Sequence, residues 1–170
     1  MIDTIRSGYK VQRFHTQPRI HADTVGHHSA NVAVLVLAFS PLCRKEVLVE
    51  ALMHDVAEVE TGDTPATVKN WDKKVRDALD WLEERFRAKN KIPTPDLRND
   101  EKALLHFVDR LESLLSAQEE VNMGNSYAKI ITSNAWEMLI DMDVPGEYLE
   151  KALELWNDSI PDDQQKLLML

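Results

Sequence analysis

The sequence predicts an all-α fold, a compact bundle of roughly six helices. Three observations predict it. Apolar residues recur with a helical period through most of the 170-residue chain. No segment alternates apolar and polar residues for long enough to be a strand. A sandwich or barrel needs a turn signal about every 8–12 residues, and Gly 5 and Pro 7 are too few for that. The length, 19.5 kDa in mass, fits one domain spanning residues 1–170.

From Thr24 to Phe39, Val25, Val32, Val36 and Phe39 share one stripe with Leu35 beside it. Asp23 or Thr24 can cap the start, and Pro41 stops the end. A second helix, Arg44 to Ala57, carries Val47, Leu48, Ala51 and Leu52 and then His54 and Asp55. Thr61-Gly62-Asp63-Thr64-Pro65 is a turn cluster. A third helix, Ala66 to Lys89, shows Val75, Leu79, Leu82 and Phe86 on a stripe, and two prolines break the pattern between Lys91 and Pro95. A fourth, Asp96 to Met123, aligns Leu104, Val108, Leu111 and Leu115 and ends at Gly124–Asn125. Ser126 to Met142 and Pro145 to Asn157 complete the set. Gly8–Gln17 reads as loop, and the weakly patterned last ten residues are expected to fray.

Composition excludes several functions. A net charge of −9 and a pI near 5.1 do not suit a protein that grips duplex nucleic acid by its phosphates. The single cysteine, Cys43, rules out a disulfide framework and a cysteine zinc site. The polar start has no apolar leader segment, and the longest apolar run, Val32–Phe39, is too short for a membrane span. A reducing cytoplasm is the expected compartment.

The informative residues are ionisable ones on apolar faces. His28 lies three residues after Val25 and four before Val32, so it faces inward. His54 continues the Val47–Ala51 row and Asp55 the Leu48–Leu52 row. Asp109 flanks the Leu104–Val108–Leu111 stripe, with His106 in reserve. A carboxylate ending a buried row is costly unless it is paired, hydrogen-bonded or metal-bound. Two imidazoles and two carboxylates suit Zn²⁺, Mn²⁺, Co²⁺ or Fe²⁺ and leave positions open for water and substrate. His15, His21 and His27 read as surface or supporting groups. Glu58, four residues after His54, could handle a proton there, and Asp63 could cap the next helix, which does not exclude a catalytic role. Arg13 suits phosphate, and Phe14 could stack on a base or fill core.

The pattern His28, His54–Asp55, Asp109 resembles the HD-domain metal-dependent phosphohydrolases. The closer likeness is to the bacterial 5′-deoxynucleotidase branch and to small phage relatives, including enzymes that strip triphosphate from dATP. Three stretches carry it: Val11–His15 with Thr24–Ser29; His54–Pro65, read as H-D-x-x-E-x-x-x-G-D-x-P, with Lys69 following; and Val108–Glu112. The resemblance implies His28, His54, Asp55 and Asp109 as metal ligands. It implies Glu58 as the catalytic acid near the metal-bound water, Asp63 as a second essential acid at the leaving-group or sugar side, and Arg13 and Lys69 as groups facing the phosphates. Phe14 stands where those deoxynucleotidases have a tryptophan that helps exclude ribose, and His27 where an acid is common.

The implied activity is hydrolysis of deoxynucleotides at the α-phosphorus, releasing phosphate from a monophosphate or triphosphate from a dNTP. The implied cofactor is one divalent transition metal ion (Co²⁺, Mn²⁺ or Zn²⁺), joined by Mg²⁺ when the substrate is a triphosphate. The implied partners are the deoxynucleotide and further copies of the chain, with Trp136 and Trp156 as candidate interface residues, and neither duplex nucleic acid nor membrane. Two other readings share the metal site: an HD-class phosphodiesterase for a signalling nucleotide, and a non-catalytic metal-binding regulator.

Overall fold

The computed structural model describes residues 1–69 and 71–161, without the side chains of Ala66 and Thr67. Of the ten residues expected to fray, all but Pro161 lie outside the described residues. The fold is all-helical, as the periodicity predicts. Among the described residues there is no strand, and the single isolated antiparallel bridge joins Gln12 to Thr24. The chain forms two compact units: Met1–Gln17 with Ala22–Leu97, and Pro18–His21 with Arg98–Leu170.

The first unit holds α1 (Ile2–Gly8), α2 (Val25–Phe39), α3 (Lys45–Met53), α4 (Glu58–Thr61), α5 (Ala66–Lys69) and α6 (Lys73–Asn90). Of the two capping candidates before α2, Thr24 takes the role, its hydroxyl accepting the His27 N–H at 3.3 Å. The buried face of α2 is Val25, His28, Ser29, Val32, Leu35 and Val36, and α2 packs on α3. Phe39, placed on that stripe by spacing, is only half-buried.

Three features depart from the expected elements. The polar amino terminus forms α1, which packs on α4. The second helix ends at Met53, four residues before the expected Ala57. Val56 N–H then bonds Met53 O at 3.2 Å and Glu58 N–H bonds Asp55 O at 3.0 Å. These three-residue turns tighten the chain and restart it as α4. The third helix is two, α5 and α6, and its stripe mostly faces out: Val75 is 38% exposed and Leu82 44%, and only Phe86 is buried. Arg87 is buried beside it, its guanidinium forked onto Glu50 at 2.7 and 2.6 Å. A paired arginine thus covers interior surface that the apolar pattern assigned to leucine and valine.

The second unit is built on α7 (Asn99–Asn122), with α8 (Ala128–Ile140) and α9 (Gly146–Ser159) packed against it. Leu104, Phe107, Val108, Leu111 and Leu114 are buried along α7. The Trp136 and Trp156 rings stack within this unit at 5.0 Å, and Trp156 Nε1–H donates to Gln118 Oε1 at 3.0 Å. Glu120, 1% exposed, accepts the Ile20 and His21 N–H groups at 2.7 Å each and Asn125 Nδ2 at 2.7 Å. Burial alone would raise its carboxyl, but the bonds from Asn125, Ile20 and His21 and the charge of Arg19 hold it below the ordinary value of 4.5.

Arg87→Ala strands Glu50 without its partner, and urea unfolding should show a loss of about 3–5 kcal/mol. Because the Glu120 carboxyl is depressed in the folded chain, it adds stability above the unfolded value, and that share is lost as pH falls through the folded value. Glu120→Gln should therefore lower stability at neutral pH and flatten the acid side of the stability–pH curve. An acid limb as steep as that of the wild type would refute this.

Candidate metal centre

The first unit brings three of the expected metal ligands together. His28, fully buried on α2, and His54, at the end of α3, have ring centroids 5.3 Å apart, edge to face. Each offers a ring nitrogen within 4.8 Å of the other's. Both aim at one carboxylate oxygen: Asp55 Oδ2 is 3.6 Å from His28 Nε2 and 3.2 Å from His54 Nε2. His54 Nδ1 lies 2.8 Å from the Ala51 carbonyl, which can only accept, so Nδ1 carries the hydrogen. In the neutral ring Nε2 then carries the lone pair that a metal ion would take, and Asp55 Oδ2 lies 3.2 Å from it. The donors present thus fit a divalent metal. Burial by itself would raise the Asp55 carboxyl, but His54, then His28 and Arg13, outweigh it and hold it far below the usual carboxylate range.

Glu58 opens α4 and is 3% exposed. Its Oε1 is 3.4 Å from Lys69 Nζ, and its Oε2 is buried with no hydrogen-bond partner among the described residues. Burial and the Asp55 and Asp63 charges push its carboxyl up to about 8 against the pull of Lys69 and Arg13. Burial would lower Lys69, yet Glu58, Asp55 and Glu83 raise it, so its ammonium is secure. Glu83, half-buried, is raised by burial against the pull of Lys69.

Arg13 and Phe14 belong to the segment before α2. The Arg13 guanidinium lies 4.9 Å from the Phe14 ring centroid and 3.3 Å from Asp23 Oδ2. Asp63 Oδ2 accepts the Phe14 N–H at 2.7 Å. Asp109 is half-buried on α7 and belongs to the second unit. His15, His21, His27 and His106 are exposed, as expected.

Sequence reasoning missed Asp23. It is 3% exposed and holds Arg13 twice, by its carboxylate and by its carbonyl, which accepts Arg13 N–H at 3.1 Å. The signal was the Asp23-Thr24 pair: one of two capping candidates is always surplus, and the surplus acid was ten residues from an arginine. Glu83 carried no such signal, because its solvent exposure depends on the packing of α6.

Two glycines hold the frame. An added Cβ at Gly8 would lie 2.6 Å from Val56 O, and one at Gly26 2.8 Å from Tyr9 Cβ. Close approach here seats α1 on the turn that follows Asp55, and Tyr9 Oη–H donates to Leu52 O at 2.9 Å.

Residues 2–95 match the family model of 5′-deoxynucleotidase YfbR-like proteins. The chain belongs to this family. The matched span holds His28, His54, Asp55, Glu58, Asp63, Arg13, Phe14 and Lys69 and stops before α7 and Asp109. Among curated relatives, 5′-deoxynucleotidase YfbR of Salmonella typhi is 23% identical over 168 residues, covering 85% of this chain and 77% of that one. The Salmonella arizonae protein of the same name is 23% identical over 143 residues, covering 71% and 72%. Among solved structures, the cyanophage S-2L HD phosphohydrolase DatZ, bound to dA and one catalytic Zn²⁺ ion, superposes with a TM-score of 0.67 at 15% identity, covering 94% of this chain and 95% of its own. A Pyrococcus horikoshii OT3 protein gives 0.62 at 20% identity, covering 94% and 98%. The chain shares its fold with these structures, and membership in the deoxynucleotidase family makes it a hydrolase.

Gly8→Ala forces a methyl against the Val56 carbonyl, backbone that has little room to move. Thermal unfolding should show a loss of about 1–3 kcal/mol from this overpacking. An unchanged midpoint would show that α1 does not bear on the turn.

Proposed function

We propose that this chain is a metal-dependent phosphohydrolase that cleaves deoxynucleotides at the α-phosphorus. The observation that carries the reading is the convergence of two imidazole nitrogens on one carboxylate oxygen, beside a Glu58 that is 3% exposed with an unsatisfied Oε2. His28, His54 and Asp55 would hold the ion, with Asp109 of α7 as the fourth protein ligand that the family resemblance implies. The imidazole and carboxylate set suits Zn²⁺, Mn²⁺ or Co²⁺. Such an ion supplies a Lewis acid and lowers the pKa of water.

The chain's own residues do the rest. Glu58 takes a proton from the attacking water and returns it to the departing 5′-oxygen. A buried carboxyl whose pKa is raised by burial and by the Asp55 and Asp63 charges is suited to both transfers. As water oxygen bonds to phosphorus, the phosphorus–5′-oxygen bond breaks. Arg13, fixed by Asp23, presents a planar fork to the phosphate oxygens, and Lys69 adds a second cation next to Glu58. Phe14 lies beside Arg13 and would contact the sugar or base. The same bond breaks whether a monophosphate yields phosphate or a triphosphate yields triphosphate.

The test is a phosphate- and triphosphate-release screen over dNMPs, NMPs and dNTPs with Mn²⁺, Co²⁺ and Zn²⁺. Turnover should require metal and favour a deoxynucleotide. Glu58→Gln should lower kcat by about 10²–10⁴-fold while bound metal, measured by plasma emission, stays stoichiometric. Metal-loaded protein that turns over no nucleotide would refute the reading.

A further inference from the structure

We propose that the outward face of α2 is the two-fold interface of a homodimer, in which each copy covers Ala30, Val34 and Leu37 with the same residues of the other. The inference does not rest on the phosphohydrolase reading, and its test uses no nucleotide.

None of the fifteen residues of α2 is Asp, Glu, Lys or Arg, and every other helix among the described residues carries at least one. A helix that is apolar all round belongs in an interior, covered on every side. α2 is covered on one side. Val25, His28, Val32, Leu35 and Val36 are buried, while Val34 is 63% exposed, Leu37 is 44% exposed and Ala30 is exposed with them. Steps of four and three residues put Ala30, Val34 and Leu37 on one line down the helix, opposite the buried row. The turn that follows the helix adds Leu42, which is 98% exposed. Single exposed apolar residues are ordinary, but a row of them on an uncharged helix marks a contact surface.

Charge selects the occupant. The chain carries −9, so two copies repel one another over most of their surface. A two-fold axis sets each residue near it against its own counterpart, and like charges opposed there are costly. A self-contact therefore belongs where charge is absent, and the α2 face meets that condition. The exposed flank of α6 does not, because Leu82 shares its groove with Arg85 and Lys89. Trp136 and Trp156, the aromatic candidates for an interface, stack on each other within the second unit instead. Side-chain size on α2 suits the same arrangement. With the axis passing beside Val34, the two helices run antiparallel, and Leu37 of each copy lies over Ala30 of the other, large against small.

The experiment is sedimentation velocity on the full chain over a wide range of concentration and salt. A dimer should form and should persist in high salt, because screening weakens the repulsion between copies and takes nothing from an uncharged interface. Val34→Glu opposes two carboxylates across the axis and should raise the dimer dissociation constant about a hundredfold or more. Val34 is exposed in the single chain, so this variant should keep the parent's helical circular dichroism. Val34→Lys should dissociate in the same way, and an equimolar mixture of the two variants should form the dimer that neither forms alone. Leu82→Glu on α6 should leave the association unchanged. A chain that sediments as a monomer at every concentration overturns the proposal and leaves the face to another occupant, such as the apolar residues 167–170 of the same chain. A dimer that salt dissociates, a Val34→Glu dimer as tight as the parent, or Val34 variants that do not pair when mixed would each overturn it as well.

Discussion

Two imidazoles converge on one carboxylate oxygen, and positive charge, as a bound metal ion or as a proton on a ring, is what holds the three together. The bond from His54 Nδ1 to the Ala51 carbonyl turns His54 Nε2 toward Asp55. His28 has no exposure to solvent, so water cannot supply the screening. The rest of the first unit is arranged around meeting that requirement. α2 sets His28 on its buried face, and α3 stops early enough that His54 and Asp55 emerge from one turn. The Gly8 and Gly26 approaches hold the neighbouring chain close to that turn.

A single environment drives two carboxyls in opposite directions. Asp55 faces the imidazoles and ionises readily, while Glu58, three residues on, meets Asp55 and burial and is pushed up to about 8. Separation of this kind assigns roles, one group remaining an anion and the other able to carry a proton at neutral pH. Lys69 limits how far Glu58 rises, and the opposing charges keep its own ammonium. The second unit shows a buried acid used purely for architecture. Glu120 is as enclosed as Glu58, yet backbone amides and Asn125 satisfy it, and it falls rather than rises. Burial alone does not mark a reactive acid. Burial with an oxygen left unsatisfied does, and Glu58 Oε2 is such an oxygen.

Much of this was legible in the sequence because helical periodicity reports which residues share a face. The inward His28, the joined rows ending in His54 and Asp55, and the apolar length of α7 all follow from spacing. The family resemblance added names for the chemistry, concentrated in the H-D-x-x-E-x-x-x-G-D-x-P stretch. Spacing could not say where α3 ends, because no proline or glycine stops it; hydrogen bonds among Met53, Asp55, Val56 and Glu58 do. It also misread α6, whose most regular stripe is largely exposed while a charged Arg87 goes inside.

The sequence by itself determined the helical class, the candidate ligands and the acids near them, since those depend on residue type and short-range spacing. Only the tertiary structure decided which faces are covered, that Asp23 rather than solvent answers Arg13, and that Asp63 meets the amide of Phe14. These depend on segments far apart in the chain approaching within hydrogen-bond distance, and a one-dimensional pattern carries no record of such approaches.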